Sequence, residues 1–273
     1  KNGGSSRPFI SDANPIMDSK LNTVNSEGNA FSTNGFANIV FIPGLTLTVN
    51  GTYNIDETRT TYVYNPYYGQ FDTTGGTVEK SHTRMFDYNL QQLLSYTTTL
   101  ADRNNFDILV GHEYYNYAYF SLGASKSKMF SQTNKELSGA VIDGQGAYSS
   151  ISRNNNEGYF TRLQYNYDSR IFGSASFRRD ASSRFAKENR WGTFYSLGAS
   201  WVINKEKFFN VDWVDDLKLK VSYGQVGNDN IESLSLGYYH YTTNYDIVNS
   251  NGSVSLVPVG RYGNRKITWE TTG

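Results

Sequence analysis

Alternating apolar and polar residues run through this chain in long, aromatic-rich stretches, and the joints between those stretches alternate in length. Pro43-Gly44-Leu45-Thr46, Ala101 to Asn105 and Asp168-Ser169-Arg170 are tight, whereas the connections near 64–77, 126–156 and 180–191 are long and polar. A sheet whose odd joints are short and even joints long has two different ends. That is the pattern of an outer-membrane β-barrel, with short periplasmic turns and long outer loops. A soluble sandwich has alternating strands too, but no reason to keep every second joint short.

The two faces of the strands can be read residue by residue, because successive side chains of a strand point to opposite sides. From 45 to 55, Leu45, Leu47, Val49, Gly51, Tyr53 and Ile55 oppose Thr46, Thr48, Asn50, Thr52 and Asn54. Further on, Tyr159, Thr161, Leu163, Tyr165 and Tyr167 oppose Phe160, Arg162, Gln164, Asn166 and Asp168. Ile171, Gly173, Ala175 and Phe177 oppose Phe172, Ser174, Ser176 and Arg178, and Leu217, Leu219, Val221 and Tyr223 oppose Lys218, Lys220, Ser222 and Gly224. Between them, Tyr195, Leu197, Ala199, Trp201 and Ile203 oppose Phe194, Ser196, Gly198, Ser200 and Val202. One face suits lipid and the other water. Lys and Arg belong in a hydrated lumen, since on the lipid face at mid-bilayer each costs about 2–4 kcal/mol.

Composition excludes several other classes. Twenty-five acidic and 25 basic side chains cancel, so no net field points to nucleic acid. There is no cysteine for a disulfide or thiolate metal site, and His82, His112 and His240 are widely scattered. No segment approaches the roughly 20 apolar residues of a membrane helix, but barrel strands need only about 9–11 residues with one apolar face. Twenty-two tyrosines suit a boundary between apolar and wet surroundings. The N-terminal Lys1-Asn2-Gly3-Gly4-Ser5-Ser6 is no signal sequence. The expectation is a removed leader or a start within a longer protein.

The pattern predicts an all-β, antiparallel transmembrane barrel segment of about eight complete strands. Residues 1–32 read as a polar outer loop and strand approach, and 33–226 as the barrel strands, near 33–42, 45–63, 78–99, 105–125, 157–168, 170–180, 192–204 and 216–226. Residues 227–265 read as a long outer loop with some strand of its own, and 266–273 as the start of a further, truncated strand.

Several stretches carry a family likeness: Gly158-Tyr159-Phe160-Thr161-Arg162-Leu163-Gln164-Tyr165-Asn166-Tyr167, Phe177-Arg178-Arg179-Asp180-Ala181-Ser182-Ser183-Arg184-Phe185 and Asn189-Arg190-Trp191-Gly192-Thr193-Phe194. With Trp201 to Phe209, Asp216 to Asn228 and upstream pieces such as Phe41 to Thr46, Asn65 to Gly69 and Leu109 to Tyr114, they resemble the barrel of SusC/RagA-type TonB-linked outer-membrane receptors. The resemblance implies a central part of a barrel of about 22 strands in a Gram-negative outer membrane. It also implies import of oligomeric nutrients, glycan ahead of peptide, with a SusD-like surface lipoprotein. TonB would be engaged through regions outside this chain, and the wall would be completed by the remainder of the same receptor. No cofactor or metal is implied. A small self-closed eight-stranded barrel acting as an adhesin or structural protein is the alternative, and a soluble sugar-binding β-sandwich is a third.

Candidate substrate contacts lie at the outer loops and lumen mouth: Tyr67, Tyr68, Arg178, Arg184, Tyr239 and Tyr241. Aromatic residues such as Tyr62, Tyr64, Phe71, Tyr238 and Tyr245 beside them suit stacking on sugar rings, but also rim anchoring and loop bracing. The arginines suit carboxylate or phosphate recognition, and equally an internal ion-pair network with Asp180 and Glu188. Asn228-Asp229-Asn230 offers oxygen ligands to calcium or forms a turn. Catalysis finds no footing: His112-Glu113 has no second histidine at metal spacing, Thr73 to Thr77 lacks a P-loop ending, and Asp215-Asp216 suits turn capping.

Overall fold

The structure, a computed structural model, describes residues 15–144, 146–211, 213–231, 239–259 and 262–273. A short helix, α1 (Pro15–Leu21), precedes β1 (Thr23–Ile42), β2 (Leu45–Tyr64), β3 (Thr77–Leu100), β4 (Asn104–Met129), β5 (Ala140–Asp143), β6 (Tyr148–Tyr167), β7 (Ile171–Ser182), β8 (Trp191–Val202) and β9 (Lys218–Gly224). Then come β10 (Val226–Asn228), β11 (Tyr245–Ser250), β12 (Ser253–Pro258) and β13 (Glu270–Thr272). One sheet runs in the order β1-β2-β3-β4-β6-β7-β8-β9, with β5 attached to β4. Among the described residues β1 and β9 stand at opposite ends of that order, so the sheet is open and the self-closed alternative is not the arrangement adopted. The strands make an all-β, antiparallel barrel wall, and among the described residues no helix is long and apolar enough to cross a membrane.

The tight joints follow from turn chemistry. Ala101 and Asp102 both take positive φ (50° and 55°), as do Asp168 and Ser169 (52° and 54°). Arg103 N–H reaches the Leu100 carbonyl and Arg170 N–H the Tyr167 carbonyl. Two consecutive left-handed residues inside such a bond make a type I′ turn, whose twist matches the flanking strands. Asn251-Gly252 closes β11 onto β12 in the same way. At the first joint Pro43 supplies φ and Gly44, at φ 86°, the left-handed position of a type II turn. The fourth joint of this end, 203–217, is longer and departs from the short rhythm.

Two other boundaries depart from the sequence reading. The sequence reads 1–32 as a polar outer loop and strand approach; the structure places α1 within it and already starts β1 at Thr23, while residues 1–14 lie outside the described part. The polar composition of Thr23 to Ser32 hid a strand with both faces exposed. Likewise β6 begins at Tyr148, because Ser149 to Asn156 is strand despite its polarity.

By contacts the chain divides into two compact units, Lys1–Phe31 with Asn54–Phe86 and Ala118–Ser152, and Ser32–Tyr53 with Asp87–Tyr117 and Arg153–Gly273. In the first, Val63, Val78, Met129 and Ala140 make a small core with Leu137 beside it, and Tyr64 stacks on Phe71 with ring centroids 4.1 Å apart. In the second, the register of β6 to β9 sorts the side chains into rows. Leu163, Ala175, Leu197 and Tyr223 lie side by side, as do Tyr165, Gly173, Ala199 and Val221, then Tyr167, Ile171, Trp201 and Leu219. The opposite face carries Gln164, Ser174, Gly198 and Ser222 in one row and Asn166, Phe172, Ser200 and Lys220 in the next. A one-residue slip in any strand would mix the faces; none occurs.

Candidate functional site

The wet face of the second unit holds a continuous polar network built by strand parity. Asn89 and Gln91 of β3 donate to Glu113 Oε1 of β4 at 3.0 and 3.1 Å. Glu113 Oε2 in turn accepts from Arg178 Nη2 of β7 at 3.2 Å, and Arg178 Nε bonds Asp180 at 2.7 Å. The Arg178 guanidinium also lies over the Phe160 ring, 5.1 Å from its centroid. That ring lies against Gly111, where a methyl would overlap it; Phe194 likewise lies against Gly227. Backbone without a side chain thus leaves room for the tip of a neighbouring ring, and the Arg178 guanidinium lies over the Phe160 ring so placed. Nearer the short-turn end, Arg162 Nη2 pairs with Asp107 at 3.4 Å and Lys218 covers Phe172 at 4.6 Å. An open hollow of about 990 Å³ lies there, lined by Asn105, Gln164, Asn166 and Ser222, by Phe106 and Phe172, and by Asp107, Lys218 and Lys220.

The sequence-predicted contacts fall into three places. Tyr67 and Tyr68 follow Asn65, whose Oδ1 accepts both of their backbone N–H groups in an Asx-type turn, leaving the rings 56% and 59% exposed. Arg178 belongs to the wall network above. Arg184 donates to the Asp229 carbonyl at 3.3 Å and to Asn230 Oδ1 at 3.5 Å. Tyr239 and Tyr241 pack edge to face, 6.5 Å apart, and Tyr239 reaches the Arg153 carbonyl. His240 between them is 4% exposed; its burial, with Arg184 nearby, pushes its pKa down. Arg184, Tyr239 and Tyr241 therefore share one loop cluster, while Tyr238 lies outside the described residues.

The expected ion-pair network holds for Arg178 and Asp180 but not for Glu188. Glu188 instead pairs with Arg265 at 2.8 Å, and hydrogen bonds from that guanidinium hold its carboxyl below the usual range. Asn189 Nδ2 bonds the Arg265 carbonyl, and Trp269 Nε1 the Arg190 carbonyl at 2.8 Å. Trp269 also packs on Phe185, which is fully buried, and on Phe194. The segment 264–269 thus locks the β7–β8 loop. Of the Asn-Asp-Asn run, Asp229 Oδ2 accepts from Ser182 and Asn156, Asn228 donates to Glu270, and Asn230 N–H closes a turn on Asn228 Oδ1. All three serve local structure. Sequence reasoning missed Asn89, Gln91 and Glu113 as network members, although their inward parity in β3 and β4 was the available signal. Trp269 as a loop lock had no such signal, because its partners lie about 80 residues away.

Comparison with known proteins places this geometry. Residues 2–272 match the family described as TonB dependent receptor-like, beta-barrel. The chain is 32% identical over 230 residues to the TonB-dependent receptor SusC of Bacteroides thetaiotaomicron, covering 80% of this chain and 21% of that protein. It is 24% identical over 265 residues to the TonB-dependent receptor P39 of Formosa agariphila, covering 95% of this chain and 25% of that protein. Its fold matches a chain of the RagAB peptide transporter with a TM-score of 0.85 at 26% identity, over 94% of this chain and 28% of that one. For the RagAB peptide importer in the "open-open" state the TM-score is 0.84 at 27% identity, over 99% and 29%. The chain thus spans less than a third of the length of each of these proteins. Its strand order, two-faced register and sequence together make it a member of the TonB-dependent receptor-like β-barrel family, of SusC/RagA type.

Proposed function

We propose that the chain forms a stretch of wall in an outer-membrane transporter that imports oligomeric nutrients, glycan in preference to peptide. TonB drives the transport, and a SusD-like surface lipoprotein works alongside the barrel. The observation that carries this reading is the register-sorted sheet of the second unit, with apolar rows on one face and an amide, hydroxyl and ion-pair surface on the other. On the wet face Arg162 and Arg178 are neutralised by carboxylates within the wall. Beside Lys218 and Lys220, the amides and hydroxyls of that face suit a hydroxyl-rich cargo passing it. At the loops, the exposed rings of Tyr67 and Tyr68 and the Tyr239–Tyr241 pair offer faces for sugar stacking, with Arg178 and Arg184 as polar contacts.

Peptide cargo is the second reading, favoured by the likeness to structures titled as a peptide transporter. Titration calorimetry of the protein with its surface lipoprotein against neutral oligosaccharides and oligopeptides separates the two. The first reading predicts oligosaccharide binding that weakens in the Tyr67→Ala/Tyr68→Ala variant; binding of peptides alone overturns the preference. Uptake that persists in cells lacking TonB overturns the transport mechanism itself.

A further inference from the structure

On the lipid side of the second unit the apolar rows end at a polar and aromatic cluster. The row Tyr167–Ile171 lies at the short-turn end, and Tyr159 pairs with Arg179 eight residues further along both strands. At about 3.4 Å per residue and a strand tilt of about 40°, that separation is about 21 Å along the membrane normal. The apolar band of such barrels is about 25 Å tall, so Arg179 stands at its long-loop edge, at headgroup level. The side chain is exposed. Its guanidinium lies 5.2 Å from the ring centroid of Trp191, and Trp191 in turn stands 6.2 Å from Tyr159.

The nearby carboxylate is already engaged. Glu157 Oε1 accepts from Tyr159 Oη at 2.7 Å and faces His112 Nε2 at 3.3 Å. The His112 ring packs 4.7 Å from Tyr159, and its Nδ1 meets Gln92 Oε1. Among the described residues no carboxylate lies within ion-pair distance of Arg179. A guanidinium beside an indole keeps its hydrogen-bond fork for a planar or tetrahedral oxyanion. At this height the oxyanion within reach belongs to a lipid headgroup.

We propose that Arg179, braced by Trp191, binds the phosphate of a lipid headgroup at the long-loop edge of the membrane, with the aromatic ring of Tyr159 flanking the site. The proposal rests on the odd-numbered face being the lipid face, but not on the cargo or on transport. Native mass spectrometry of the protein in detergent, titrated with dioleoyl phosphatidate and with dioleoylglycerol, tests it without any uptake measurement. Phosphatidate is expected to bind more tightly than dioleoylglycerol. Arg179→Gln should lower phosphatidate binding about fivefold while leaving dioleoylglycerol unchanged. Arg179→Lys, which keeps the charge and loses the fork, should fall between. Equal binding of the two lipids, or an Arg179→Gln protein that binds phosphatidate like the parent, overturns the proposal. So does full displacement of phosphatidate by millimolar inorganic phosphate, which would make the site one for free anions.

Discussion

Leu197→Arg puts the two-faced register to a quantitative test. Leu197 lies in β8 between Ala175 and Tyr223, in the row one step beyond Tyr165–Gly173–Ala199–Val221, and its side chain is 58% exposed. That row lies near the middle of the apolar band. An arginine there costs about 2–4 kcal/mol, because the charge must stay solvated in hydrocarbon or the strand must shift to release it. Gln164 stands at a similar height on the other face, paired with Ser174. Gln164→Arg places the same side chain in water and should stay within about 0.5 kcal/mol of the parent. Urea unfolding of the protein reconstituted in lipid vesicles reads both, with intrinsic fluorescence as the signal. A large loss for Leu197→Arg beside a negligible one for Gln164→Arg is expected. Equal losses, or a neutral Leu197→Arg, would refute the assignment of faces.

Three further outcomes follow from local geometry. Ala101→Gly should stabilise by about 1 kcal/mol, since alanine is held left-handed in the β3–β4 turn; an unchanged urea midpoint would remove the strain argument. Gly111→Ala should destabilise by about 1–3 kcal/mol, because its methyl must displace the Phe160 ring that carries Arg178, and an unfolding midpoint equal to the parent's would count against that contact. The Glu188–Arg265 lock should loosen in acid: a lowered folded pKa contributes stability above the ordinary value of 4.5 and loses it as pH falls through the folded value. Hydrogen-exchange protection of 264–269, corrected for intrinsic rates, should hold at pH 5 and drop near pH 3; protection unchanged at pH 3 would contradict it.

How much of this was legible in the sequence varied with how far each contact reaches along the chain. The faces of β2 and of β6 to β9 were readable because period-two alternation is local. The turns at Pro43-Gly44, Ala101 to Asn105 and Asp168 to Arg170 were readable by their shortness. The start of β1 at Thr23 was not, since a strand whose residues are polar on both faces has no alternation to show. At the site, the Arg178–Asp180 pair could be anticipated from a spacing of two on one strand. Glu113 reaching Arg178 across β6, and Arg265 taking Glu188, depend on strand register and loop path. Sequence distance conceals both.

The central claim is that one face of β6 to β9 meets lipid and the other water. Because the chain has no cysteine, single cysteines at 194 to 201 in β8 can carry spin labels without a background. In vesicles, accessibility to oxygen should peak at Tyr195, Leu197, Ala199 and Trp201. Accessibility to a water-soluble nickel complex should peak at Phe194, Ser196, Gly198 and Ser200. Two profiles oscillating out of phase with a period of two would bear this out, and profiles that rise and fall together, or show no period of two, would contradict it.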